Sequence, residues 1–314
     1  MFDLSGEENI TSHQPVLYHE SLTYLQIQSG VRFVDGTLGA GGHAAGILKG
    51  SKSHALLLGF DLDPQAITLA KKKLAEFGNR ATIQQRSYAE IREAINELGW
   101  HCVDGIIFDL GISSMQIDIA DKGFSFTKPA PLDMRFDQTS GNTAAQLLNS
   151  LDEKEIADII WKFGEEPKAR RIASLIVENR PVTTTTQLAQ IVNRAYSGSD
   201  KKRNPATRTF QAIRIVVNRE LEVLEKGLEN ALASLCTGGR LAVITFQSLE
   251  DRIVKQLFRQ ESKDCICPPE QIICNCGHKA TIKMVTKKPV KPTEEEVRNN
   301  PRARSAKLRV VEKT

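Results

Sequence analysis

The sequence has no apolar run long enough to cross a membrane. A transmembrane helix needs about 20 consecutive apolar residues, and no segment of this 314-residue chain approaches that length. The opening residues, MFDLSGEENI, also lack the basic and apolar regions of a secretory signal peptide. These absences argue against a membrane protein and predict a cytoplasmic one.

Cysteine is scarce as well, with six residues in the whole chain. So few cysteines exclude a small disulfide scaffold, and in a reducing compartment we expect the thiols to be free, buried or metal-bound. Cys102 and Cys236 stand apart from the others, and we interpret them as core residues. Hydrophobic residues make up 40% of the sequence and charged residues 25%, which excludes a disordered chain and leaves room for one large domain or two.

Positive charge is concentrated near the end of the sequence. Between Lys279 and Thr314 there are eleven Lys or Arg residues and four Glu, a net charge of +7, whereas the whole chain carries +4. The rest of the chain is therefore slightly acidic. A basic tail favours a polyanionic partner, although a solvated basic surface explains it equally well.

The first 111 residues alternate between short apolar segments and amphipathic ones. Strands are predicted over residues 31–39, 55–63, 81–88 and 103–111, with helices over 64–77 and 89–98 between them. Apolar strands joined by helical crossovers form a parallel sheet that is covered on both faces. The pattern predicts a doubly wound α/β fold.

The alternation stops after Gly111. A loop-like stretch is followed by three predicted helices, the first capped by Ser150 with Glu153 and the third by Thr184 with Gln187. Because these helices offer no strand to the sheet, we interpret residues 116–206 as an inserted all-helical domain for substrate recognition.

The α/β pattern then resumes and completes a core of residues 1–115 and 207–314. It predicts one long helix over 210–235, a fifth strand over 238–246, a helix over 248–260, and an antiparallel pair over 282–290 and 307–313.

The first predicted strand runs into a glycine-rich turn, DGTLGAGGH. Gly39, Gly41 and Ala44 satisfy the pattern G-x-G-x-x-A of dinucleotide-binding folds, so a nicotinamide-dependent dehydrogenase must be considered. Asp35 argues against it, since a pyrophosphate gains nothing from a carboxylate directly before the turn. A cationic ligand such as S-adenosylmethionine fits that carboxylate better.

Further acids follow the other strands. Asp61 ends the second strand, where an acid binds a ribose diol, and Asp109 ends the fourth, at the edge where doubly wound folds bind ligands. Asp63 is better explained as a helix cap than as a ligand contact. Tyr88 closes the third strand and either lies against an adenine or packs in the core.

The sequence resembles the bacterial 16S ribosomal RNA cytosine-N(4) methyltransferases over nearly its whole length. The matching segments, in order, are DGTLGAGGH, DLDPQAI, DGIIFDLGISSMQ, GFSF, PLDMRFD, NPATRTFQAIRIVVN, FQSLEDRIVK and NPRARSAKLR. The resemblance implies a class I methyltransferase core with a helical insertion, S-adenosylmethionine as methyl donor, and a cytidine of the small-subunit decoding region as target. One departure is Gln247, where the family pattern has His.

The resemblance also implies particular site residues. The Asp109 carboxylate, or backbone carbonyls in the turn from Leu110 to Ser114, can accept a hydrogen bond from the cytosine amino group and help remove a proton, and Asp109 is the expected catalytic residue. No metal is required for the transfer. The donor contacts carried over from the family are Gly41, Gly42, His43, Asp61, Tyr88, Asp109 and Gln116.

The RNA contacts are predicted from residue type and position. Phe124 or Phe126 in the GFSF loop either holds the target base by stacking or packs under the inserted helices. The arginines of the insertion, the following helix and the tail are candidate phosphate ligands. These residues are Arg135, Arg208, Arg214, Arg302 and Arg304.

Two C-x-C pairs form the remaining constellation, with His278 close behind the second pair. Thiolates and imidazole are ligands that zinc prefers, but C-x-C spacing is tighter than that of most structural zinc sites. A loop with free thiols and a redox-labile pair are the alternatives. The four cysteines are Cys265, Cys267, Cys274 and Cys276.

Two function classes compete with a methyltransferase. A dehydrogenase leaves Asp35, the DLGIS turn and the basic tail without a role. A nucleic-acid-binding protein that keeps a donor fold without turnover explains the basic tail but not the acids at the strand ends.

Overall fold

A computed structural model describes residues 15–112, 122–196, 204–271 and 273–314. Gln116, a predicted donor contact, lies outside these residues. Within the part of the chain that is described, no helix is long and apolar enough to span a membrane.

A seven-stranded sheet forms the centre of the molecule, in the order β3-β2-β1-β4-β5-β7-β6. The first five strands run parallel, and β7 and β6 complete the sheet in antiparallel orientation, as the sequence predicts. The strands are β1 (Arg32–Asp35), β2 (Leu56–Asp61), β3 (Ala81–Gln85), β4 (Val103–Asp109), β5 (Leu235–Thr245), β6 (Ile282–Met284) and β7 (Lys307–Lys313).

Helices cover both faces of this sheet. One face carries α1 (Tyr18–Leu25), α2 (Gly42–Gly50) and α3 (Pro64–Leu74). The other face carries α4 (Ile91–Glu97), α10 (Glu220–Ser234) and α11 (Ser248–Glu261). The strands between them are buried on both sides, which explains why their sequences are continuous apolar runs. A short helix, α12 (Glu294–Asn299), precedes β7.

Between β4 and β5, five of the helices in the described residues have apolar side chains that share a core separate from the two at the sheet. Polar side chains start three of them, because Thr143, Asp152 and Thr184 each accept a hydrogen bond from the backbone N–H of the third helical residue. The helices are α5 (Ala144–Ser150), α6 (Glu153–Gly164), α7 (Ala169–Glu178), α8 (Thr185–Arg194) and α9 (Ala206–Val217).

The cap predicted for the first inserted helix, Ser150 with Glu153, is wrong. Ser150 ends α5 instead of starting a helix, and the cap of α6 is Asp152. Its Oδ1 accepts from Glu155 N at 2.7 Å, and the Glu155 carboxylate accepts from Asp152 N at 2.9 Å. The Thr184 and Gln187 cap is confirmed.

The long helix predicted over residues 210–235 is two helices. The chain turns between α9 and α10, where Arg219 has a left-handed φ of 50°. Asn218 fixes this turn, since its Nδ2 donates to Met134 O at 2.7 Å and to Arg214 O at 3.0 Å. As a result α9 packs with the helical cluster while α10 packs on the sheet. The domain boundary predicted at residue 206 therefore lies at the start of α9, although α9 shares a core with the inserted helices.

Cys102 and Cys236 are joined in a disulfide, which corrects their interpretation as unpaired core thiols. They lie beside the first residues of β4 and β5, which are neighbouring strands with Val103 opposite Leu235. This pairing places the two Cα atoms 5.0 Å apart, within the range of a disulfide.

Candidate active site

A cavity of about 320 Å³ opens at the carboxyl edge of the sheet. It lies where the strand order reverses between β1 and β4, the position at which open α/β sheets bind ligands. Asp61, Tyr88 and Asp109 line it together with the turn that follows β1. The structure therefore brings together residues that the sequence places at three separate strand ends.

The turn after β1 approaches its neighbours too closely for larger residues. A Cβ on Gly36 would lie 2.3 Å from the ring of Phe108, and Gly39 has a left-handed φ of 51°. Gly42 and His43 begin α2 and line the cavity, whereas Gly41 caps α2 and does not line it. Two of these three predicted donor contacts thus face the cavity.

Asp61 supports the turn as well as facing the cavity. Its Oδ2 accepts from Gly39 N and its Oδ1 from Asp63 N, both at 2.8 Å. Burial raises the pKa of Asp61, although these two N–H groups lower it. The carboxylate is held in one orientation, as a ligand for a ribose diol requires.

Asp109 is a second acid at this edge of the sheet whose pKa is raised. Its backbone N–H donates to Thr37 Oγ1 at 2.6 Å, while its carboxylate Oδ1 is buried with no hydrogen-bond partner in the described residues. Burial raises the pKa of Asp109 to about 8, and the nearby Asp35 and Glu250 contribute to that rise. The Asp109 side chain as a whole is 25% exposed, so Oδ1 is a buried, unpartnered acceptor on an otherwise accessible carboxylate.

Asp35 and His43, two neighbours of Asp109, are both buried. Asp35 lies behind the turn, where its Oδ1 accepts from Thr37 N at 3.1 Å, and burial raises its pKa to about 7. His43 Nδ1 lies 3.8 Å from Asp109 Oδ2, and burial lowers the pKa of His43 to about 4. The imidazole is neutral at pH 7, so it does not offset the charge of Asp109.

Tyr88 stands beside the cavity on a short turn after β3. Its ring packs 4.8 Å from that of Phe108 and fills the space left by Gly227, where a Cβ would lie 2.4 Å from the Tyr88 ring. The side chain is only partly buried. Tyr88 thus packs in the core and also lines the cavity, and its contact with an adenine stays a prediction.

Glu250 is a further acid that lines the cavity and that the sequence patterns did not reveal. Glu250 is buried in the first turn of α11, where its Oε2 accepts from Phe246 N at 3.1 Å and Gln247 N at 3.2 Å. Burial raises the pKa of Glu250 to about 7, although the Arg214 guanidinium lowers it. Its position three residues after the helix cap is the signal that could have revealed it.

Gln247 occupies the cap position of α11, where the family pattern has His. It is partly buried, and its Oε1 has no hydrogen-bond partner in the described residues. The side chain therefore contributes an amide, not an ionisable ring, next to Glu250.

The predicted stacking rings do not reach the cavity. Phe124 is buried against Phe136, with ring centroids 5.4 Å apart, and Phe126 packs edge-on to Phe210. The structure favours the packing alternative for both. Phe136 and Phe246 line the cavity instead.

The predicted phosphate ligands are dispersed. Arg214 is buried and its guanidinium bonds to both Glu220 oxygens at 2.7 and 2.8 Å, so it is not accessible to a phosphate. Arg135 is held by Asp133, whereas Arg208 is half-exposed on α9. Arg302 lines the mouth of the cavity and Arg304 is exposed two residues later.

Asp63 caps α3, as expected, by accepting from Gln65 N at 3.0 Å. It also forms an ion pair that the sequence analysis missed. Lys122 Nζ lies 2.5 Å from Asp63 Oδ2, and both side chains are almost fully buried. This pair connects the chain leading into the helical cluster to the end of β2.

The fold and this site define a class I S-adenosylmethionine-dependent methyltransferase. The sheet order, the glycine turn after β1 and the acids that end β2 and β4 at the cavity are typical of this class, and the unpartnered Oδ1 of Asp109 suits a cationic ligand. The model of the MraW methylase family matches residues 10–314, and the chain belongs to this family. Membership rules out the nicotinamide-dependent dehydrogenase.

Curated relatives are similar in sequence over almost the entire chain. The ribosomal RNA small subunit methyltransferase H of Citrifermentans bemidjiense is 50% identical over 306 residues, 96% of this chain and 98% of that protein. The protein of the same name from Dehalococcoides mccartyi is 48% identical over 301 residues, 96% of this chain and 86% of that protein. A solved rRNA methylase from Streptococcus thermophilus aligns at 12% identity with a TM-score of 0.43, covering 96% of this chain and 98% of its own.

Proposed function

We propose that this protein methylates the exocyclic 4-amino nitrogen of a cytidine in the decoding region of 16S ribosomal RNA. The names of the relatives support an RNA of the small ribosomal subunit as substrate, and the sequence motifs support cytosine as the base. The observation that carries the proposal is the buried, unpartnered Oδ1 of Asp109 at the cavity. We further propose that the RNA is recognised within the small subunit and that the enzyme acts in the cytoplasm.

The donor fits the half of the cavity next to β1 and β2. Asp61 supplies an oriented carboxylate for the ribose, Gly42 and His43 supply the first turn of α2, and Tyr88 supplies an aromatic surface. Gln116 remains a predicted contact outside the described residues. When bound, S-adenosylmethionine supplies an activated methyl group on a positively charged sulfur.

Asp109 would prepare the amino group for methylation. The lone pair of the cytosine 4-amino nitrogen is delocalised into the ring, so an acceptor for its N–H is needed to localise it. The pKa of Asp109, raised by burial to about 8, suits a general base that works near neutral pH. In the transfer a carbon–nitrogen bond forms, the carbon–sulfur bond breaks, and the amino proton leaves to Asp109.

Phe246 and Phe136 replace the GFSF loop as candidates for holding the base. Both line the cavity, whereas Phe124 packs behind Phe136. Asn218 positions Phe136, because its Oδ1 accepts from Phe136 N at 2.8 Å. Since a base must leave its stack to enter such a cavity, an aromatic face would compensate for the stacking that it gives up.

Methyl transfer to small ribosomal subunits from a strain lacking this enzyme tests the proposal. With labelled S-adenosylmethionine the wild-type protein should methylate one cytidine at N4, located by mass mapping of the RNA. Asp109→Asn should lower kcat by about 10²-fold or more, since it removes the base while keeping the shape. The matched control, Asp158→Asn on the exposed face of α6, should keep wild-type turnover.

Two results would contradict the proposal. One is label that appears in protein or at another base position. The other is Asp109→Asn turnover within a few-fold of that of the Asp158→Asn control.

A further inference from the structure

Four cysteines converge on the surface, and none of them lines the cavity. Cys265, Cys267, Cys274 and Cys276 lie in the connection between α11 and β6, and their Sγ atoms all lie within 4.8 Å of one another. No disulfide joins any of them. The methyltransferase site uses none of these residues.

The distances between the sulfur atoms are those of one tetrahedral ion. Neighbouring Sγ atoms are 3.6 Å apart for Cys274 and Cys276, 3.9 Å for Cys276 and Cys265, and 4.0 Å for Cys267 and Cys274. Four sulfurs around Zn²⁺, each about 2.3 Å from the ion, lie about 3.8 Å from one another. A disulfide would need a separation of about 2.05 Å.

Hydrophobic burial does not explain this convergence. None of the described residues from Lys263 to Ala280 is buried, and Ile273 is 80% exposed. A segment without an apolar core needs a cross-link or a metal to hold a fixed shape.

Backbone N–H groups point at the sulfur atoms. Cys267 N donates to Cys265 Sγ at 3.4 Å. The N–H groups of Ile266 and His278 also donate to Cys276. Such bonds favour the thiolate form, which is the form that binds a metal.

His278 does not belong to the set. Its Nε2 lies 3.1 Å from Gln260 O at the end of α11, so the imidazole is bonded to the helix. The ligand set is therefore four sulfurs, and tetrahedral sulfur coordination is typical of zinc or iron.

We propose that Cys265, Cys267, Cys274 and Cys276 bind one structural Zn²⁺ ion. Each protonated thiol releases its proton on binding, and no electron is transferred. Four protein ligands leave no open coordination position for a substrate, so the ion takes no part in methyl transfer. Its role is to hold the segment between α11 and β6 in a fixed shape.

Elemental analysis of the full chain, purified without chelator or histidine tag, should give one zinc per chain. Cys265→Ser and Cys276→Ser should each lower this to below about 0.2. His278→Ala should keep one zinc per chain, because the imidazole is not a ligand. The double variant Cys102→Ser/Cys236→Ser should also keep it, which controls for loss of cysteine elsewhere.

A measurement on the wild-type chain avoids reliance on variants that misfold. The reduced, metal-free protein should take up one equivalent of Co²⁺ and show the sulfur-to-cobalt charge-transfer absorption of a tetrahedral thiolate site, and one equivalent of Zn²⁺ should abolish it. Zinc should also slow the reaction of four thiols with a thiol reagent. Three results would overturn the proposal: iron in place of zinc, no metal uptake by the reduced protein, or a disulfide among these four cysteines in protein prepared without oxygen.

Discussion

Asp35 and Asp109 face an environment that disfavours their negative charge. Burial is the largest cause of both raised pKa values, about 7 for Asp35 and about 8 for Asp109. The fold favours their neutral forms, so their contribution to stability is present below the ordinary pKa of about 4 and is lost as the pH rises through 7 and 8. A ligand that carries positive charge reverses this preference.

Binding of S-adenosylmethionine should therefore tighten as the pH rises from 6 to 8. Each proton released on binding makes the affinity rise by up to about tenfold per pH unit. S-adenosylhomocysteine has no sulfonium charge and should show a weaker dependence. Titration calorimetry in two buffers of different ionisation enthalpy measures the proton release directly, and Asp109→Asn should reduce it. Equal pH slopes for the two ligands would refute this account of the site.

The acids that end strands could be predicted from the sequence, because a buried parallel strand marks its own end. Asp61 and Asp109 both line the cavity where that reasoning places them. Glu250 could not be found in the same way, since it ends no strand and the charges that act on its pKa, Arg214 and Glu220, belong to other helices. Phe124 and Phe136 are close in sequence, and only packing decides which one faces the cavity.

Among helices and strands, too, local sequence patterns predict some features, whereas contacts between distant residues decide others. The strands follow from apolar runs, whereas the break between α9 and α10 depends on Asn218 bonding to a loop more than 80 residues earlier. Similarly, the Cys102–Cys236 bridge needs the strand pairing to be known first. Local patterns predict elements, but contacts between elements determine where they bend.

The buried pair of Lys122 and Asp63 is such a contact, and it can be tested by stability. Lys122→Met leaves the Asp63 carboxylate buried without its cation, which should cost about 3–5 kcal/mol of unfolding free energy. Adding Asp63→Asn removes the buried carboxylate charge, and the amide oxygen of Asn remains as an acceptor that caps α3. The double variant should therefore be more stable than Lys122→Met alone in denaturant unfolding. If the two losses simply add, the pair is not coupled.

Several basic residues of the tail are paired with acids in the folded protein, so they are less available to a nucleic acid than the sequence suggests. Lys307 and Arg309 on β7 both pair with Asp251, with N–O distances of 2.9 and 2.8 Å. Lys283 and Arg240 likewise pair with Glu312. Part of the basic tail therefore stabilises the antiparallel edge of the sheet. In the tail, Arg302 lines the cavity and Arg304 is exposed two residues later, and their positions make them candidates for RNA contact.

Binding of the RNA substrate should accordingly depend on salt, but not through all of these residues alike. Arg302→Ala and Arg304→Ala should each weaken binding and reduce the slope of log K against log salt concentration by about 1 for each phosphate that is no longer neutralised. Lys307→Ala is the matched control, because that side chain already pairs with Asp251, and it should lower the melting temperature while leaving the salt slope unchanged. Filter binding to small ribosomal subunits between 50 and 200 mM salt, the range over which about six or more phosphate contacts change affinity strongly, makes the comparison. A slope that falls equally in Lys307→Ala would mean that the whole tail contacts RNA, and an unchanged slope in all three variants would place the phosphate contacts elsewhere on the surface.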